Sequence, residues 1–338
     1  MSPPPLRWPL HPPPGPLESL SSWLERTASA YPLRARDLLT RNLGRDGNEL
    51  PLDIDQNPPA WMPAALAERT GISLAQLRAM TLAGWQPWLF DAFPMSKHDA
   101  QETFDTYIRA NPMLLAPGEA GIHDVSRWKP WSGPWVPRYW LMRACPACAA
   151  DPDRGRALLW RLPLTASCAD HGCRLESSLG TGALAVVNGR PPEPVSLDES
   201  LAALDRYTHE AVATGLVALP GRTVHAGVWF RLLRSLLDEV SLAGSTISAH
   251  GRATLEQVWE AADRPERGGL SVWKPYEQLE WEVQEAMLHA AAAAVQLAAD
   301  GQITARGARS APRCGPHRTG MSTTATSRHP RGPAHGTS

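Results

Sequence analysis

The sequence has little of what a secreted or membrane-bound protein needs. Five cysteines in 338 residues, four of which suit a metal site, do not make a disulfide framework, so a reducing cytoplasm is expected. The start, Met1-Ser2-Pro3-Pro4-Pro5, lacks the basic and apolar regions of a signal peptide. No apolar run is long enough to span a bilayer; Ala290–Ala294 is short and flanked by His289 and Gln296. The chain also lacks a Gly-rich phosphate loop and any nucleophile–base arrangement. It has no His-x-Glu ahead of a Pro-Cys-x-x-Cys, the pairing a zinc deaminase requires. No enzyme is expected.

Acidic residues are missing after Asp300, where Arg306, Arg309, Arg313, Arg318, Arg328 and Arg331 stand unopposed. Against a whole-chain net charge of −1, those six arginines leave the body at −7. That excludes a general basic surface for DNA, so any DNA contact has to be local. A hydrophobic content of 43% is enough to bury a core, and the length suits two or three compact units.

What the sequence does have is a metal-ligand pattern in mid-chain. Arg143-Ala144-Cys145-Pro146-Ala147-Cys148 is answered twenty residues on by Ser167-Cys168-Ala169-Asp170-His171-Gly172. A C-x2-C turn and a C-x2-H turn are the two halves of a tetrahedral zinc site, because each lets both side chains reach one ion. Four protein ligands leave no open position, so such a site holds structure and does no chemistry. Cys145, Cys148, Cys168 and His171 are the expected ligands; Cys173 can replace His171 as the fourth. Between the halves, Leu158-Leu159-Trp160-Arg161-Leu162-Pro163-Leu164 reads as an apolar strand lying over the site.

Around this module the periodicity is helical. Residues 1–15 read as a proline-rich flexible arm. Residues 16–140 read as an N-terminal helical region, opened by an amphipathic helix through Leu17, Leu20, Trp23, Leu24 and Tyr31 and continued by a short one over Arg34–Arg41. Asp53-Ile54-Asp55 reads as a solvated turn. Residues 63–82 form two short helices joined by Thr70-Gly71-Ile72, with Ser73 as N-cap, which is a helix-turn-helix; Gln76 and Arg78 face a major groove if it reads DNA, the alternative being a plain structural hairpin. Trp85, Trp88, Trp128, Trp131, Trp135 and Trp140 lie among prolines that forbid long helices, and are expected to fill a loop-rich core against the metal module. His98-Asp99 and His123-Asp124 read as surface pairs. After the module (141–178), residues 196–300 read as a helical bundle. Its best amphipathic stripe is Trp229, Leu232, Leu233, Leu236, Leu237 and Val240, with Arg234 facing Asp238. Residues 302–338 read as a disordered basic tail, in which Cys314-Gly315-Pro316-His317 has no partner pair. The fold class is thus mainly α, with a small zinc-ribbon-like module.

The order of these pieces resembles the TniQ family of transposition proteins. The resemblance is carried by Pro16-Leu17-Glu18-Ser19-Leu20-Ser21-Ser22-Trp23-Leu24-Glu25-Arg26 and by the helix-turn-helix around Thr70-Gly71-Ile72. Its most specific part is Cys145-Pro146-Ala147-Cys148, Trp160-Arg161-Leu162-Pro163 and Cys168-Ala169-Asp170-His171-Gly172-Cys173-Arg174-Leu175. It implies the same four ligands and one structural zinc ion. Many relatives place a further C-x2-C soon after, where this chain has Glu176-Ser177-Ser178-Leu179. It further implies a non-catalytic adaptor that links target DNA, directly or through a DNA-bound complex, to an AAA+ transposition ATPase. Leu20, Trp23 and Leu24, or else the proline arm, are expected to bind the ATPase partner, and Gln76 and Arg78 are the expected DNA-binding residues. A homodimer is left open, and a stand-alone helix-turn-helix regulator is the alternative.

Overall fold

Serine and aspartate caps set the starts of four helices, and glycines end two. The side chains of Ser19, Ser73, Asp198 and Ser248 each accept the backbone N–H three residues on, satisfying a donor that the first helical turn leaves orphaned. Gly71 and Gly215, both at φ +76°, close their helices in the left-handed conformation that costs glycine no Cβ clash. The computed structural model describes residues 7–43, 53–85, 89, 113–115, 135, 141–151, 153–178, 193–266 and 276–304. The helices are α1 (Leu20–Ser29), α2 (Ala35–Leu43), α3 (Trp61–Thr70), α4 (Leu74–Ala79), α5 (Pro146–Ala149), α6 (Glu199–Thr214), α7 (Ala226–Val240), α8 (Ala249–Ala261) and α9 (Trp281–Ala299). Two antiparallel pairs complete the described elements, β1 (Arg143–Ala144) with β2 (Glu176–Ser177), and β3 (Leu216–Leu219) with β4 (Arg222–His225). The fold is mainly α, as its periodicity predicts.

The N-terminal helices close over their own core, and this corrects one expectation. Leu20, Trp23 and Leu24 are each 0% exposed and pack with Trp8, Leu38, Leu39, Met62, Leu66, Leu77 and Met80. The stripe is spent inside the molecule, so these three residues cannot form a docking face while the region is folded. The proline arm is likewise no loose end over its described part. Trp8 is buried and its N–H donates to Arg69 O, Leu10 N–H donates to the Tyr31 hydroxyl, and the Trp23 indole and the Arg26 guanidinium donate to the carbonyls of Pro12 and Pro13. Proline carbonyls make good acceptors because the extended segment uses none of them itself. The tail from 305 on, the His98 and His123 pairs, and Trp88, Trp128, Trp131 and Trp140 lie outside the described residues.

The turn at Asp53-Ile54-Asp55 is not solvated. Asp55 is 0% exposed; its carboxylate accepts from Ser21 N–H, Ser21 Oγ and Arg161 Nη1, while Arg161 Nη2 donates to Asp53 at 2.7 Å. The burial is bearable because every charge is paired and hydrogen-bonded. Arg161 belongs to a 3₁₀ turn, Leu158–Arg161, where a strand is expected. In a strand Leu158, Trp160 and Leu162 would share a face. The tight turn separates them instead: Leu158, Leu159, Leu162 and Leu164 enter the large core, and Trp160 turns toward the cysteines.

In the C-terminal region α6, α7, α8 and α9 pack on one another around Trp229, Phe230, Leu233, Leu237, Leu255 and Trp259. The run Ala290–Ala294 is buried, its small side chains letting α9 lie close to its neighbours. The β3–β4 hairpin is an addition to the expected all-helical bundle. Pro220 fixes the first turn position and Gly221, at φ +86°, supplies the second, so α7 begins only at Ala226. Arg234 is 2% exposed and donates to Glu277 at 2.5 Å, rather than lying on a surface stripe. Glu277 also accepts the Trp135 N–H, and Trp135 packs edge-on against Phe230 and Tyr276. That indole therefore fills the bundle core, whereas the one at the metal-ligand cluster is Trp160. Glu239 accepts the N–H groups of Met113 and Leu114, and its burial pushes its pKa up to about 8.

Candidate metal centre

The two predicted half-sites come together. β1 delivers Cys145 to the start of α5, where Pro146 takes the first helical position and Cys145 Sγ accepts the Cys148 N–H at 3.3 Å. Opposite, Cys168 and His171 sit on a tight turn in which Gly172 N–H donates to Cys168 O, with Gly172 at φ +61°. The donor atoms of Cys145, Cys148, Cys168 and His171 all lie within 4.8 Å of one another. His171 Nδ1 is 3.5 Å from Cys145 Sγ, 3.3 Å from Cys148 Sγ and 3.6 Å from Cys168 Sγ, and the Cys148 and Cys168 sulfurs are 3.8 Å apart. A tetrahedron with Zn–S of about 2.3 Å and Zn–N of about 2.0 Å has edges of about 3.8 Å between sulfurs and about 3.5 Å from sulfur to nitrogen. The spacing fits one four-coordinate ion. Burial and the neighbouring Cys168 push the Cys148 thiol up to about 11, and the Cys168 thiol is raised as well, so without an ion both sulfurs stay protonated at neutral pH. Sulfurs so placed resist ionising together unless a cation shares them.

The metal turn is held from behind by residues that no ligand motif would single out. Arg143 is buried and forks to three carbonyl oxygens, those of Trp160 (3.0 Å), Leu162 (2.6 Å) and Thr165 (2.5 Å), while stacking over the Trp281 ring at 4.1 Å. Burial pulls its pKa down to about 10, so it stays charged at neutral pH. Asp205 on α6 is 1% exposed and accepts Ala166 N–H (3.0 Å) and Ser167 Oγ–H (2.6 Å); one turn on, His209 Nε2 donates to Ser167 O (3.3 Å). Helix α6 thus grips the backbone next to Cys168.

Burial pushes the Asp205 carboxyl up to about 7 from an ordinary 3.8. A raised acid binds its proton more tightly when folded, so it favours the fold fully below the unfolded pKa and loses that contribution as pH climbs through the folded one. Asp205→Asn keeps a carbonyl acceptor without the charge. It is expected to reduce the stability lost between pH 5 and pH 8 by about 2–3 kcal/mol, read as the difference between wild-type and variant denaturation midpoints at each pH. An identical slope for both proteins would refute the assignment.

Gln76 and Arg78 project from α4 into solvent, and Arg7 lies with its guanidinium against Gly71 at the turn before α4. Ile72 is partly buried between α3 and α4, with Leu77 fully inside, so the helix-turn-helix is packed on its inner face, and its outer one shows Gln76 and Arg78 beside Leu74, Ala75 and Ala79. A family model for TniQ matches residues 9–175. The chain belongs to the TniQ family. Its TniQ segment runs from the ordered arm through the helix-turn-helix to the last residue of the cysteine turn, and it points to a transposition-associated protein. The helices after residue 196, including the Asp205 grip on this centre, lie beyond that segment. Neither a search of curated proteins nor one of solved structures returned a match. Among the described residues no helix of this TniQ protein is long and apolar enough to cross a membrane.

Proposed function

We propose that this TniQ protein is a non-enzymatic adaptor in DNA transposition, bridging target DNA, or a complex already bound there, to an AAA+ transposition ATPase. The observation that carries the reading is a TniQ segment built round a cluster whose four donors fill a tetrahedron, leaving no position for a substrate or a reactive water. In it Cys145, Cys148, Cys168 and His171 hold one zinc ion, whose contribution is to fix the shape of residues 141–178. The helix-turn-helix supplies the DNA contact. Exposed Gln76 and Arg78 on α4, with Arg7 beside Gly71, give the local positive and amide groups that base edges and phosphates accept, on a body that is otherwise acidic.

Because Leu20, Trp23 and Leu24 are buried, we assign the ATPase contact to none of them, and cutting away α1 would test folding rather than docking. The suitable test keeps the whole chain. Immobilised target DNA incubated with the protein and a candidate AAA+ transposition ATPase is expected to retain all three together. Binding to one DNA sequence with no retention of the ATPase would identify a stand-alone regulator instead. In the same assay Gln76→Ala with Arg78→Ala is expected to weaken DNA retention at least about tenfold. Undiminished retention would remove α4 from the interface.

A further inference from the structure

We propose that Cys173 is a stand-by ligand of the metal centre, able to take the fourth position when His171 leaves it. The inference rests on the metal reading above and adds a fifth donor to it. Cys173 Sγ lies 3.4 Å from Cys145 Sγ, in direct contact with one sulfur of the four-donor cluster. The residue is 4% exposed and packs with Cys145, Cys148, Cys168, Trp160 and Leu175. Its direction is set by backbone pairing. Cys168 N–H donates to Cys173 O at 3.0 Å, and the next residues out, Ser167 and Arg174, form an antiparallel bridge. Residues directly opposite in such a pairing send their side chains to one face, so the sulfurs of Cys168 and Cys173 lie on the same side of the turn.

His171 is held differently. It is exposed, it sits at the tip of the turn beside Gly172, and among the described residues the hydrogen-bonding neighbours of its ring are the three sulfurs. The donor with least support from the fold therefore stands next to a thiol that is firmly placed. Exchange brings a sulfur that already meets Cys145 Sγ into the place of the His171 nitrogen. It replaces a nitrogen by a sulfur and keeps four protein ligands, so the centre stays closed to water in both forms. A buried cysteine serving only as a small apolar side chain would leave the centre three-coordinate once His171 was gone.

Cobalt(II) separates these outcomes, because its tetrahedral ligand-field bands report geometry and its sulfur-to-metal charge-transfer band scales with the number of thiolates. The full-length wild-type chain loaded with Co²⁺ is expected to show tetrahedral bands with three thiolates. His171→Ala is expected to keep those bands while the charge-transfer intensity rises by about a third, as four thiolates replace three. Cys173→Ala alone should match wild type, and His171→Ala with Cys173→Ala should lose the tetrahedral spectrum. A His171→Ala protein that loses the tetrahedral bands, or the fold of the turn, as the double variant does overturns the proposal while leaving the four-donor centre intact. A wild-type chain without tetrahedral bands refutes the centre itself, and the stand-by ligand with it.

Discussion

Replacing Cys145 and Cys148 together by serine is expected to abolish metal binding and to unfold the two ligand turns within residues 141–178. Both side chains are buried, at 0% and 6% exposure, and the pair supplies half of the cluster as well as the sulfur that accepts the Cys148 N–H. The local core is too small to compensate: besides the four buried cysteines it holds Trp160 and Leu175. A structural zinc ion is worth an apparent 10–16 kcal/mol, roughly, in small metal-folded peptides, which equals or exceeds the roughly 5–15 kcal/mol net stability of a whole domain. Metal analysis should fall from one ion per chain to near zero. Proteolysis should then cut inside 141–178, and Trp160, the indole that packs on the cysteines, should lose its buried emission. One ion per chain with an unchanged melting curve would show that the sulfurs are ordinary core residues.

The second large effect is expected at Arg143→Met, which keeps the bulk of the side chain and removes its donors. Three carbonyl oxygens, those of Trp160, Leu162 and Thr165, would lose the guanidinium that serves them. A buried acceptor left without a partner costs about 1–3 kcal/mol, and breaking a buried charge arrangement about 3–5 kcal/mol. The variant should melt roughly 10 °C lower. Lysine should recover part of the loss at most, since an ammonium cannot present donors in the fixed planar fork that three diverging carbonyls use. Removing the cation also takes away a charge that favours the ionised form of Asp205, so the acid is expected to titrate still higher in the variant. A melting point within a degree or two of wild type would mean that water serves the three carbonyls.

The sequence showed the parts that depend on neighbours three or four residues away. Two x2 spacings named the ligand cluster, serine caps and terminal glycines placed helix ends, and the TniQ resemblance followed the metal block. What it hid depends on partners far along the chain. Periodicity shows that Leu20, Trp23 and Leu24 share a face but not what covers it, and the cover comes from α2, α3, α4 and Trp8. Asp55 looks like a turn acid until Arg161, 106 residues on, is brought against it. Arg143 reads as a charged flank of a cysteine motif, and only the folded loop reveals three carbonyls turned toward it. One miss was local: Pro220-Gly221 between Leu216–Leu219 and Arg222–His225 carries the turn chemistry of a hairpin, masked by the strong helical stripe that follows.

The short segment from Leu158 to Ala166 is gripped on two sides. Leu17 O accepts Leu158 N–H and Asp53 and Asp55 hold Arg161, while from later in the chain Tyr276 Oη donates to Pro163 O and Asp205 accepts Ala166 N–H. The unit that folds together is therefore longer than the matched residues 9–175. Any exchange of the later helices would have to supply groups matching Asp205, Tyr276 and Trp281, which answer residues 39 places upstream at Asp205 and more than a hundred at Tyr276 and Trp281.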